Sequence, residues 1–306
     1  MRIVSLLPSA TEIVCALGLA EQLVCVSHEC DFPVEIVGRP VLTAPKIDPS
    51  GDSASIDAAV RQLARDGLSV YRIDTERLAR LRPDLIVTQD QCEVCAVSYK
   101  EVVEATRALL TQPATIVSLK PTRLDDIFDD IERVADATDR HDAGVALIVG
   151  LRARLDAIRA AATRVHSRPR VACIEWMEPL MVAGNWVPEL VELGGGTYDL
   201  VAPGAQSTTL TWNDLVAYAP EVVIIMPCGF KLEQTQRDLP LLTRRNEWQQ
   251  LAAVRDHRVY AVDGNAYLNR PGPRMVDSAE LVAGLIQPGL FAAKIPPGSF
   301  LRVPDE

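Results

Sequence analysis

Ile3-Val4-Ser5-Leu6-Leu7-Pro8-Ser9-Ala10-Thr11-Glu12-Ile13-Val14-Cys15-Ala16-Leu17-Gly18 decides how the chain begins to fold. Ile3–Leu7 is an apolar run with a β-branched start, which predicts a buried strand. Ser9 is placed to cap a helix that runs to Leu17, and Gly18 to end it in a left-handed conformation. The same alternation continues downstream. Leu23–Val26 reads as a strand and Ile56–Arg65 as a helix stopped by Gly67. Thr75 is placed to cap a helix through Leu81, after which Pro83 returns the backbone to an extended path. Leu85–Thr88 is then a strand, Tyr99–Leu110 a helix and Ala114–Leu119 a strand. Short strands alternating with helices predict parallel α/β units.

The middle of the chain breaks this rhythm. From Leu124 to Val165 the pattern is helical, with one break near Asp139–Asp142. Its second part, Ala143–Val165, predicts a helix about 35 Å long, too long for a routine crossover in a small sheet. Alternation resumes after Ser167-Arg168-Pro169. Val171–Glu175, Val222–Met226 and Val259–Val262 read as strands; Val187–Leu193, Leu215–Ala219 and Val276–Ile286 read as helices. Gly194–Gly196 stops the first of these helices.

The two halves echo each other. Thr75-Glu76-Arg77-Leu78 followed by Arg82-Pro83-Asp84-Leu85-Ile86-Val87 parallels Trp212-Asn213-Asp214-Leu215 followed by Ala219-Pro220-Glu221-Val222-Val223-Ile224. The prediction is therefore an α/β chain of two parallel-sheet lobes joined by one long rigid helix. The boundaries are 1–122 for the first lobe, 123–168 for the helical linker and 169–290 for the second lobe. A Pro- and Gly-rich tail, 291–306, is expected to wrap the surface. Ligands of open α/β sheets bind beyond the carboxyl ends of the strands, which directs attention to a cleft between the lobes.

Composition narrows the function. Of 306 residues, 48% are hydrophobic and 24% charged, the balance of a folded chain. Lys and Arg total 31 against 41 Asp and Glu, a net charge of −10 that argues against nucleic acid and anionic membranes. No apolar stretch approaches the roughly 20 residues that cross a bilayer. The amino terminus is broken by Pro8, Ser9, Thr11 and Glu12, so it reads as strand, turn and helix rather than as a signal peptide. Seven scattered cysteines fit a reducing compartment, and the expected location is cytoplasmic.

The candidate chemistry sits after the strands. Trp176, Trp186, Phe230 and Tyr267 offer flat rings for a large planar ligand. Arg270 offers a rigid fork for an amide, phosphate or carboxylate. His28 is a candidate metal ligand through a neutral imidazole, including an axial ligand of a bound corrin. Cys92-x-x-Cys95 with Cys30, Cys228 and His28 contains enough ligands for zinc. There is no second CxxC pair, however, and the group is scattered, so no zinc is expected. Cys15, Cys25 and Cys173 read as small hydrophobes. Phosphate-cradle, GxSxG and HExxH patterns do not occur, which favours binding over common hydrolase chemistry.

Several segments carry a family resemblance. Arg2-Ile3-Val4-Ser5-Leu6-Leu7-Pro8-Ser9-Ala10-Thr11-Glu12, Val24-Cys25-Val26-Ser27-His28 and Leu-Arg-Pro-Asp-Leu-Ile-Val at 81–87 are the best of them. With the long central helix, they resemble the helical-backbone class of substrate-binding proteins, most closely its vitamin B12-binding branch. The resemblance implies a cobalamin or related corrinoid ligand, and no catalysis. It places Ser9, His28, Glu29, Asp31, Gln91, Cys92, Glu175, Trp176, Trp186, Cys228, Phe230, Asn265, Tyr267 and Arg270 at the ligand. An ABC transporter permease or a corrinoid-dependent enzyme is the implied partner. The competing reading is a cytoplasmic enzyme on the same fold, using His28, Glu29, Cys92 and Cys228.

Overall fold

Among the described residues, the first half of the chain supplies six strands: β1 Ile3–Ser5, β2 Leu23–Cys25, β3 Thr43–Pro45, β4 Tyr71–Ile73, β5 Leu85–Gln89 and β6 Thr115–Leu119. The computed structural model in which they are seen describes residues 1–66, 68–90, 103 and 114–304. β2, β1, β5 and β6 lie side by side in that order, all parallel, with Ile3 opposite Leu85 and Val4 opposite Ile86. Ile3, Val4, Ile86 and Val87 are fully buried, as the continuous apolar runs require of a sheet covered on both faces. On one face, Val4, Leu6, Cys25, Leu42, Leu78 and Ile86 form a core. A separate antiparallel pair, β3 with β4, was not predicted.

The chain divides into two units. The first comprises Met1–Gly51, Ser55–Pro121 and Asp125–Gly150; the second comprises Asp52–Ala54, Thr122–Leu124 and Leu151–Glu306. The second unit contains β7 Val171–Trp176, β8 Met181–Val182, β9 Thr208–Thr209, β10 Val222–Ile225, β11 Val259–Val262 and β12 Phe300–Arg302. Its sheet has the order β12-β11-β10-β7-β8-β9. β11, β10 and β7 pair in parallel; β12 joins β11, β8 joins β7 and β9 joins β8 through antiparallel pairings. Trp248, Leu242, Leu251, Leu215, Ile174 and Ile225 pack the core on one face. Each such side chain contributes roughly 1.5–3 kcal/mol on burial.

Several local expectations are corrected. Ser9 does not cap the first helix, Pro8–Ala16; extended Leu7 precedes it, Pro8 occupies its first turn and Ser9 is buried inside it. Pro tolerates that first position because the amide it lacks has no partner there. Asp74 rather than Thr75 caps Thr75–Leu81, its carboxylate accepting the Arg77 N–H at 2.8 Å. The tail does more than wrap the surface, since Phe300–Arg302 adds an edge strand and Phe291 and Val303 enter the core.

The central helices follow the expected pattern. Leu124–Ala137 ends at a turn where Asp139 takes φ 55°, and His141–Ala162 follows as one continuous helix. Residues 141–150 of that helix belong to the first unit and 151–162 to the second. Among the described residues, no helix is long and apolar enough to cross a membrane.

Candidate functional site

In the second unit, the parallel strands β7, β10 and β11 deliver three loops to one edge of the sheet. β7 ends in Glu175 and Trp176, β10 leads into Pro227-Cys228-Gly229-Phe230, and β11 leads into residues 263–270. Backbone bonds stitch the loops together. The Cys228 N–H donates to the Glu175 carbonyl at 3.3 Å, and the Asn265 N–H to the Phe230 carbonyl at 2.9 Å. The Asn269 amide donates to the carbonyls of Met226 and Gly264 at 3.1 and 2.9 Å. Position 264 must be glycine, because a Cβ there would lie 2.1 Å from the Pro227 carbonyl oxygen. The loops are thus a preorganised platform rather than free connections.

The predicted residues divide on this platform into exposed and supporting groups. Trp176 is half-buried, meets Phe230 edge-on at 5.2 Å and donates its indole N–H to the Ser53 carbonyl at 3.0 Å. Tyr267 is half-buried, and burial, then the charge of Asp277, pushes its phenol up. Cys228 is a partly exposed free thiol. Phe230, Trp186 and Arg270 are only 3%, 6% and 5% exposed, so they support the loops from beneath. Trp186 donates to the Leu268 carbonyl at 2.7 Å, and Arg270 to Asn265 Oδ1 at 2.8 Å. Trp186 and Phe230 are therefore packed within the second unit, with little ring surface open.

Glu175 is the unusual group. Burial raises its carboxyl above the ordinary carboxylate range, and the Ser207 hydroxyl pulls it partly back. The hydroxyl is aligned by the Gly184 N–H, which donates to Ser207 Oγ at 3.1 Å. Cys173 beneath it and Tyr198 are also held un-ionised by burial.

The first unit carries a second set, after β2. The His28 backbone N–H and ring Nδ1 both lie on Thr43 Oγ1, at 3.0 and 2.7 Å, and the Thr43 hydroxyl bonds Ser27 Oγ at 3.1 Å. With the Thr43 proton given to Ser27, the Thr43 oxygen is left to accept a ring N–H at Nδ1. The other ring nitrogen, Nε2, faces Glu29 Oε1 at 3.0 Å, close but without hydrogen-bond alignment. Metal ligation through Nε2 requires Glu29 to turn away. The ring also leans on Tyr71, with centroids 5.1 Å apart. Asp31 is exposed, and Cys30 Sγ lies 3.1 Å from Thr11 Oγ1. Gln91, Cys92 and Cys95 fall outside the described residues. No group of three or more His, Cys, Asp or Glu among the described residues is arranged to hold a metal. Cys25 and Cys173 are buried and Cys15 partly so, and burial raises all three thiols, Cys15 to about 11.

Sequence reasoning missed Ser207, Thr43, Tyr71 and Asn269 as members of these networks. Asn269 alone had a signal, lying in the polar run after β11; the others act through tertiary contacts that no local pattern announces.

Residues 3–266 match the family model described as periplasmic binding protein. A vitamin B12-binding protein of Vibrio cholerae is 25% identical over 92% of this chain and 87% of its own length. An uncharacterized ABC transporter substrate-binding lipoprotein of Bacillus subtilis, YvrC, is 22% identical over 95% of this chain and 81% of its own. Among solved structures, the periplasmic vitamin B12 binding protein BtuF of Vibrio cholerae superposes with a TM-score of 0.68 at 22% identity, covering 94% of this chain and 96% of that one. The periplasmic heme-binding protein RhuT of Roseiflexus sp. RS-1 gives the same TM-score and identity over 93% and 97%.

Proposed function

The chain belongs to the periplasmic binding protein family, and from that premise we propose that it binds cobalamin or a related corrinoid or metal-chelate ligand. The observation that carries the proposal is the stitched platform at the carboxyl ends of β7, β10 and β11. It presents two half-buried aromatic rings, Trp176 and Tyr267, beside a few polar groups, Glu175, Cys228 and Asn265. Flat rings and sparse polar groups suit a large planar ligand whose rim carries hydrogen-bonding side groups. Relatives named for vitamin B12 and for heme support the same ligand class. We propose His28, Glu29, Asp31, Gln91 and Cys92 as further ligand contacts on the strength of the family resemblance. Ser9, Trp186, Phe230 and Arg270 act as buried supports.

The test is the visible spectrum of purified protein after incubation with cyanocobalamin and gel filtration. A corrin band that travels with the protein supports the proposal, and a protein peak without it, for cobalamin and hemin alike, overturns it. The receiver of the ligand is part of the same reading. Fractionation of the source cells separates the two candidates: a chain found outside the inner membrane fits delivery to an ABC-type permease, and one in the cytosol fits a corrinoid-dependent enzyme.

A further inference from the structure

We propose that Glu175 makes the second unit select ligand side groups of the carboxamide class over carboxylates. The inference rests on the chelate-binding reading above and names which rim chemistry that site accepts. Glu175 Oε2 is buried, and it has no hydrogen-bond partner among the described residues. The carboxyl already receives the Ser207 hydroxyl, whose own acceptor position is taken by the Gly184 N–H. The single hydroxyl proton of Ser207 cannot serve both carboxyl oxygens. The backbone on either side is equally committed, since the Glu175 carbonyl accepts the Cys228 N–H.

An orphaned, desolvated carboxyl oxygen has two ways to be satisfied. Ionised, it needs a donor; protonated, it needs an acceptor. A primary carboxamide presents an N–H and a C=O on one planar edge, so it answers either state. A carboxylate presents acceptors only. Beside Glu175 it places a second negative charge in the same desolvated spot, where two carboxylates cannot both stay ionised and one proton must be taken up. A site built to hydrogen-bond one partner leaves buried polar groups unpaired when the wrong partner arrives, and discrimination of at least about tenfold follows. Trp176, next in the chain, packs edge-on against Phe230.

The experiment uses two corrins that differ in rim chemistry, dicyanocobinamide with carboxamides and dicyanocobyrinic acid with carboxylates. Both are titrated calorimetrically into the wild-type protein and the Glu175→Gln variant at one pH. The wild type should prefer the carboxamide ligand, and Glu175→Gln should reduce that preference at least tenfold, mainly by tightening the carboxylate ligand. The global charge of the protein repels the carboxylate ligand about equally in both proteins, so the ratio isolates position 175. A second measurement needs only the wild type: titration in buffers of different ionisation heat should show about one more proton taken up with the carboxylate ligand than with the carboxamide. Both corrins binding with a preference unchanged by Glu175→Gln, or with equal proton uptake, overturns the selection by Glu175 while leaving chelate binding intact. Failure of both corrins to bind the wild type overturns the chelate reading and this inference with it.

Discussion

Asp130 is a charged residue with no exposed surface, on the helix Leu124–Ala137. Burial pushes its carboxyl up to about 7, against the opposing pull of Arg133, whose Nη2 lies 3.0 Å away, and of the Lys120 N–H. In the unfolded chain the same group titrates near ~3.9. Between those two values the folded state holds the proton and the unfolded state does not, so stability falls as pH rises from about 4 to about 7. Asp130→Asn keeps the shape and removes the charge. It should gain about 1–2 kcal/mol at pH 8 and nothing at pH 4, read from urea melts at the two pH values. A loss at pH 8 would mean that the Arg133 pairing outweighs burial. At the proposed site, Trp176 carries a different expectation. Trp176→Ala should weaken corrin binding by more than tenfold, about 1.4 kcal/mol, because it removes the half-exposed ring and the bond that holds Ser53. Calorimetry showing unchanged affinity would remove Trp176 from the site.

On the long helix His141–Ala162, one substitution should have opposite signs at two positions. A Cβ at Gly150 meets nothing within 4 Å, so Gly150→Ala should stabilise the protein by about 0.5–1 kcal/mol through the lower helix cost of alanine. At Gly144 the added atom would lie 2.6 Å from the Ala135 Cβ on the neighbouring helix, and Gly144→Ala should cost about 1–3 kcal/mol. Thermal melts of both variants check the pair, and equal shifts would contradict the close packing of the two helices. This packing also marks the limit of what the sequence made legible. Val187–Leu193 and Val259–Val262 were readable to the residue because glycines or polar turns bound clear apolar patterns. The caps at Leu7 and Asp74 were misplaced by one or two positions, where Pro8 and a neighbouring acid compete with Ser and Thr for the role. Met181–Val182 and Thr208–Thr209 are too short for any period to show. Phe300–Arg302 hides among prolines and glycines. Among the candidate site residues, the rule that ligands bind beyond strand ends pointed to the three loops. It could not tell half-buried Trp176 from buried Trp186, because which side of a ring faces the core is a tertiary fact.

Three pieces of chain tie the two units into one molecule. Asp52–Ala54 and Thr122–Leu124 belong to the second unit although the residues around them belong to the first, and the helix His141–Ala162 contributes to both. Ser53 shows how firmly such a piece is held: its N–H donates to the buried Asp238 carboxylate at 2.7 Å, and its carbonyl accepts the Trp176 indole. Arg123 and the Leu124 N–H bond the Glu189 carboxylate at 3.0 and 2.9 Å. Both segments are thus anchored in the second unit while the chain on either side of them belongs to the first, and a single calorimetric transition is expected for the wild type. The helix is the most direct of the three couplings, and it can be cut where the units divide. Proline at an interior helical position removes a backbone hydrogen bond and clashes with the preceding turn, at a cost of about 3 kcal/mol. Gly150→Pro places that break at the last residue of the first unit, where the side chain itself has open space. The variant should melt at lower temperature and broaden or split into two transitions, whereas Gly150→Ala should keep one sharp transition at slightly higher temperature. Two transitions already present in the wild type would show that the shared helix does not couple the units. A single unsplit transition in Gly150→Pro would place the coupling in residues 52–54 and 122–124 instead.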